Sequence, residues 1–130
     1  MARILIVDDD EDTCDLFSTI LQGAGHTVQV AMDGEQGLRV FNVWKPEVVL
    51  LDMFMPEMDG LETLGALRRA GASVKIIAVS GGYRFHRLGA SGDIVDQALE
   101  MGANLALQKP VDPTRLREAV DAVTRGTFRP

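Results

Sequence analysis

Five residues in this 130-residue chain carry groups that could do chemistry together: Asp8, Asp9, Asp52, Ser80 and Lys109. Each stands at the end of a short apolar run, in Val7-Asp8-Asp9, Leu51-Asp52, Val79-Ser80 and Gln108-Lys109-Pro110. Three carboxylates brought to one place repel, and one takes up a proton unless a counter-charge arrives. A hard divalent cation answers that need. Mg2+ in particular is held by one or two carboxylates together with retained waters and phosphate oxygens. A carboxylate beside it can attack phosphorus, with cation, ammonium and hydroxyl spreading the charge on the phosphoryl oxygens. Asp52 stands alone and is assigned as the nucleophile, whereas Asp8 and Asp9 form a pair suited to the metal.

These groups meet only if the runs before them are strands of one sheet. Arg3–Val7, Thr27–Ala31, Glu47–Leu51, Lys75–Val79 and Asn104–Gln108 are rich in Val, Ile and Leu and read as strands. Amphipathic patterns between them predict helices near 12–23, 34–43, 60–70, 93–101 and 113–125. Asp33 reads as the cap of the second helix, Asp59-Gly60-Leu61-Glu62 as a capping-box start, and Asp112-Pro113 as a cap followed by proline. Gly71, Gly102 and Gly126 stand where helices should stop in left-handed caps. Five strands alternating with five helices imply a parallel sheet covered on both faces. In such sheets ligands bind beyond the carboxyl ends of the strands, where the five groups lie.

Composition narrows the function. Hydrophobic residues make up 46% of the chain and charged ones 25%, which sustains a core and argues against disorder. The length suits one domain. Acids outnumber bases for a net charge of −6, the reverse of the basic patches on which nucleic-acid binding depends. Five of the acids form the run Asp8 to Asp12, of which Asp10 to Asp12 read as a helix start and solvated surface. The single cysteine, Cys14, has no partner for an internal disulfide, which favours a reducing compartment. Runs such as Ile76–Val79 are far shorter than a membrane span, and Ile4–Val7 is too short for a signal-peptide core. A cytoplasmic protein with no membrane partner is expected. Met53, Met55 and Met58 read as packing, since thioethers are poor Mg2+ ligands. Cys14 reads as an ordinary helix residue, and His26 has no partner at metal-ligand spacing.

Four segments together, Ile4-Leu5-Ile6-Val7-Asp8-Asp9-Asp10, Leu51-Asp52 through Asp59-Gly60, Val79-Ser80-Gly81 and Gln108-Lys109-Pro110, resemble the receiver domain of two-component response regulators. The resemblance covers nearly the whole chain. It implies a flavodoxin-like α/β fold, a (βα)5 sheet of strand order 2-1-3-4-5, over residues 1–126. Residues 127–130 read as a short polar tail after the fifth helix, and no output domain is expected. It implies that Asp52 accepts a phosphoryl group from a histidine kinase or histidine phosphotransfer protein, and that output passes to a downstream protein by direct contact. Asp9 would bind Mg2+ directly, Asp8 through water, and Asp52 and the Phe54 carbonyl would complete the protein ligands. Ser80 would be the switch hydroxyl. Lys109 would pair with Asp52 before phosphorylation and with the phosphoryl group afterward, next to a cis Lys109–Pro110 bond.

Two features depart from that pattern. Ala106 stands where many members carry a Tyr or Phe that turns inward on activation. The segment 81–92, with four glycines, Tyr83, Phe85, Arg84, Arg87 and His86, is longer than the usual loop before the fourth helix. It is either a surface loop that accepted an insertion or a readout element that replaces the missing ring. Two other functions remain open on the residues. A phosphatase of the haloacid-dehalogenase type also uses an Asp after a strand, but wants a second acid two residues on, where Phe54 stands. A receiver-fold adaptor that works without phosphorylation is the other, although such proteins commonly lose one of the acids or the Lys, all of which this chain keeps.

Overall fold

Continuous apolar runs make strands that are buried on both faces, and two inner strands show it. Every residue of β3 (Val48–Asp52) is buried, as are all but the first of β4 (Lys75–Ser80). The computed structural model describes residues 1–55, 60–71, 73–81 and 91–125. Among these, β1 (Arg3–Val7), β2 (Thr27–Ala31), β3, β4 and β5 (Leu105–Gln108) form one parallel sheet of order β2-β1-β3-β4-β5. Five helices alternate with the strands: α1 (Glu11–Gly23), α2 (Gly34–Trp44), α3 (Gly60–Ala70), α4 (Ser91–Glu100) and α5 (Pro113–Arg125). The flavodoxin-like receiver fold expected from the sequence is therefore present.

Successive side chains on a strand point to opposite faces, and each face has its own core. Ile4, Ile6, Leu50, Ile77 and Val79 join Phe17, Leu21, Leu116 and Val120 from α1 and α5. Leu5, Val7, Leu51, Ile76 and Ala78 join Phe41, Leu64, Leu67 and Ala98 from α2, α3 and α4. Each large aliphatic so buried stabilises the fold by about 1.5–3 kcal/mol. The register pairs Val7 with Leu51, Asp52 with Val79, and Ser80 with Gln108, which brings the strand ends level.

Local signals operate mostly as the sequence predicts. Asp33 accepts from the Gln36 N–H at 2.7 Å and Asp112 from the Thr114 N–H at 2.8 Å. Asp59 and Gly126, and residues 82–90 of the long segment, lie outside the described residues. Gly102 has φ +108°, a left-handed stop after α4. Gly71 does not: it is absent from the left-handed region, and a Cβ there would meet the Phe41 ring at 2.8 Å. Its missing side chain serves close packing rather than a cap.

The left-handed stop of α2 falls instead on Lys45, at φ 54°, where a Cβ is strained. Arg3 holds this turn by donating from Nη2 to the Lys45 carbonyl at 2.7 Å. Lys45→Gly should relieve a strain of about 1–2 kcal/mol and, after glycine's added freedom in the unfolded chain is subtracted, raise stability by about 0.5–1 kcal/mol. An unchanged or lower urea midpoint would show that the turn is not strained.

Candidate functional site

Asp8 follows the last residue of β1, and its N–H continues the ladder to the Ala31 carbonyl at 3.1 Å. Its carboxylate is only 2% exposed and both oxygens are engaged. Oδ1 accepts from the Asp10 N–H at 2.9 Å, and Oδ2 lies 2.9 Å from the Lys109 ammonium. Asp9 is exposed, and its carboxylate makes no hydrogen bond or ion pair among the described residues. Asp10 accepts from the Thr13 hydroxyl at 2.6 Å, which holds its carboxyl below the usual range.

Asp52 is the last residue of β3 and 4% exposed. Its Oδ1 accepts from the Phe54 N–H at 3.2 Å. Burial first, and then the Asp8 charge, push its carboxyl up to about 7, against the pull of Lys109. Carboxylate oxygens of Asp8, Asp9 and Asp52 lie within 4.8 Å of one another. Ser80 ends β4 and is buried, with its hydroxyl 3.4 Å from the Leu107 carbonyl on β5. The Lys109 N–H donates to the Ser80 carbonyl at 3.0 Å, and the Lys109–Pro110 bond is cis. Burial alone would lower the Lys109 pKa, but the hydrogen bond to Asp8 and the charges of Asp52 and Asp8 outweigh it and raise the value.

The five groups predicted from the strand ends thus come to one edge of the sheet. One pairing differs from expectation. The resemblance puts the Lys109 ammonium on Asp52, whereas the structure pairs it with Asp8. The physical reason lies with Asp52. Burial pushes its carboxyl up to about 7, and an acid held against its charge in this way is a weak partner for a cation. Met53 and Met55 are buried in the core as expected, and Phe54 is partly buried against it.

Two residues matter more than their sequence positions suggest. The Gly60 N–H donates to the Met53 carbonyl at 3.1 Å, and a Cβ there would meet the Asp52 carbonyl oxygen at 2.8 Å and the Met53 backbone. Helix α3 therefore seats directly on the peptide that carries Asp52, and only glycine permits this approach. Cys14, read as an ordinary helix residue, places its Sγ 3.3 Å from the Asp8 carbonyl oxygen. Burial and the charges of Asp8, Asp10 and Asp15 push its thiol up to about 12, so it stands as a donor.

The donor set is all oxygen, with Asp9 and one oxygen of Asp52 unengaged, and that suits a hard cation such as Mg2+ rather than a thiophilic metal. The acidic cluster could hold such an ion.

Comparison with known proteins agrees with this geometry. Residues 4–121 match the family model described as the response regulator receiver domain. The chain is 36% identical over 131 residues to the DNA-binding dual master transcriptional regulator RpaA of Synechocystis sp., covering 99% of this chain and 52% of that protein. It is 35% identical over 127 residues to the probable transcriptional regulator ycf27 of Guillardia theta, covering 96% of this chain and 46% of that one. The chain thus spans about half the length of the curated relatives it matches. Among solved structures, a CheY-like receiver domain protein from Methanospirillum hungatei superposes with a TM-score of 0.86 at 30% identity, covering 98% of this chain and 97% of that one. The chemotaxis protein CheY4 of Vibrio cholerae gives 0.84 at 28% identity over 95% and 98% of the two chains.

Proposed function

Because the chain belongs to the response regulator receiver domain family, we propose that it is a phosphoacceptor switch in which Asp52 takes a phosphoryl group from a histidine kinase or histidine phosphotransfer protein. The observation that carries this reading is the convergence of three carboxylates within 4.8 Å, one of them ending the central strand. An Asp52 oxygen attacks phosphorus as the bond to the donor imidazole nitrogen breaks, and the imidazole leaves with the electron pair. Asp9 and Asp52, with the Phe54 carbonyl, would hold Mg2+, and Asp8 would reach it through water. Bound there, the cation would offset the crowding of carboxylates and draw negative charge from the phosphoryl oxygens.

The remaining residues answer the new charge. Lys109 moves its ammonium from Asp8 to a phosphoryl oxygen, and the Ser80 hydroxyl leaves the Leu107 carbonyl to donate to another. Both carry the change to the β4–β5 edge. Since Ala106 offers no ring, the output surface is remade by backbone and helix movement, and a downstream protein in the cytoplasm reads it by contact. A partner can respond only if it binds the two forms unequally.

Incubation with acetyl phosphate and Mg2+ tests the assignment. Intact mass should rise by one phosphoryl group in the wild type and stay unchanged in Asp52→Asn. Incorporation into that variant would move the acceptor elsewhere, and none in either protein would leave a receiver fold without the chemistry.

A further inference from the structure

Asp9 presents a puzzle of aim. It is the carboxylate best placed to meet a cation first, yet its side chain has no anchor among the described residues. Its direction must come from the peptide on either side of it. Asp8 is held by its N–H on Ala31, by its Oδ1 on the Asp10 N–H and by its Oδ2 on Lys109. One main-chain group of Asp8 points the other way, and Cys14 meets it. The buried Cys14 thiol lies 3.3 Å from the Asp8 carbonyl oxygen, while the Cys14 N–H donates to the Asp10 carbonyl at 3.1 Å. One residue of α1 therefore grips the chain both before and after Asp9. Many residue types could supply the amide contact, but only a side-chain donor can supply the other.

We propose that Cys14 is a positioning residue of the cation site, its thiol on Asp8 and its amide on Asp10 together fixing the peptide that aims the Asp9 carboxylate. The inference rests on the acidic cluster being a cation site. Partners that orient metal ligands from behind change metal affinity by about 10- to 100-fold when removed. A thiol is a weak donor, so the effect here should be smaller, about three- to tenfold.

Titration calorimetry of Mg2+ into cation-free protein, with amide hydrogen exchange at Asp10, tests this. Cys14→Ala and Cys14→Ser leave nearly equal voids and should lose similar thermal stability, but only Ser keeps a donor. Cys14→Ala should weaken Mg2+ binding about three- to tenfold and speed exchange of the Asp10 amide. Cys14→Ser should keep both close to wild type. Equal affinities in all three proteins, or equal losses in both variants, would overturn the role of the thiol while leaving the cation site standing. A wild type that takes up no Mg2+ would overturn the cation site and the proposal with it, whatever order the exchange rates show.

Discussion

At pH 8 and without divalent cation, Asp52→Asn should unfold at a higher temperature than the wild type. The wild-type side chain sits 4% exposed beside Asp8 and Asp9, and its carboxyl is raised to about 7. In the unfolded chain the same group titrates near 3.9. Between those values the folded state binds the proton more tightly than the unfolded state does, so stability falls as pH rises from about 4 to about 7. Above that range the full penalty is present, on the order of 4 kcal/mol. Asn keeps an oxygen for the Phe54 N–H and never ionises, so it escapes the loss. The gap between the two proteins should shrink as pH falls and close near pH 4, and Mg2+ should stabilise the wild type more than the variant. Thermal melts in EDTA and in Mg2+ across that range measure it. A gap that stays constant with pH would mean that Asp52 is not held against its own charge.

Arg68→Ala should lower stability by about 3 kcal/mol, one of the largest losses available to a single surface-accessible residue. The guanidinium joins three parts of the chain. Its Nε and Nη2 both donate to the Gly102 carbonyl, at 3.0 and 2.7 Å, and Nη1 donates to Val74 O at 2.6 Å. Nη2 also reaches Asn104 Oδ1 at 2.8 Å, which in turn accepts from the Ile76 N–H at 2.8 Å. Truncation leaves these partly buried carbonyls and the Asn104 amide short of donors at the entry to β4 and β5. For a domain of this size the midpoint should fall by roughly 10 °C. Arg68→Lys should recover little, because a single ammonium cannot span the same fork of acceptors. A loss below about 1 kcal/mol in Arg68→Ala would show that water replaces the guanidinium at little cost.

The parts of this fold legible in the sequence are those set by near neighbours along the chain. Alternating helix and strand patterns, the caps at Asp33 and Asp112, and the acids after β1 and β3 each depend on a few adjacent residues. Choices made by distant parts of the molecule were not legible. Gly71 carries the mark of a helix stop, but the Phe41 ring on α2 decides its role. Lys45 takes a left-handed turn without the glycine that would announce it. Which carboxylate Lys109 meets depends on how the buried ends of separate strands are set against one another, which no motif contains. The Arg68 fork grips mostly backbone carbonyls, which every residue possesses, so no sequence pattern points to it.

The strand order has a consequence for how the protein is made. Its five reactive groups are gathered from the ends of four strands, and the last of them, Lys109, follows β5, the outermost strand on its side of the sheet. Chains emerge from the ribosome N-terminus first. Both acids of the pair and Asp52 are therefore synthesised long before their ammonium partner exists. A nascent chain short of β5 carries mutually repelling carboxylates and an unpaired edge on β4, and cannot settle into the finished pocket. The pocket is thus complete only once β5 has docked beside β4 and brought Lys109 to Asp8.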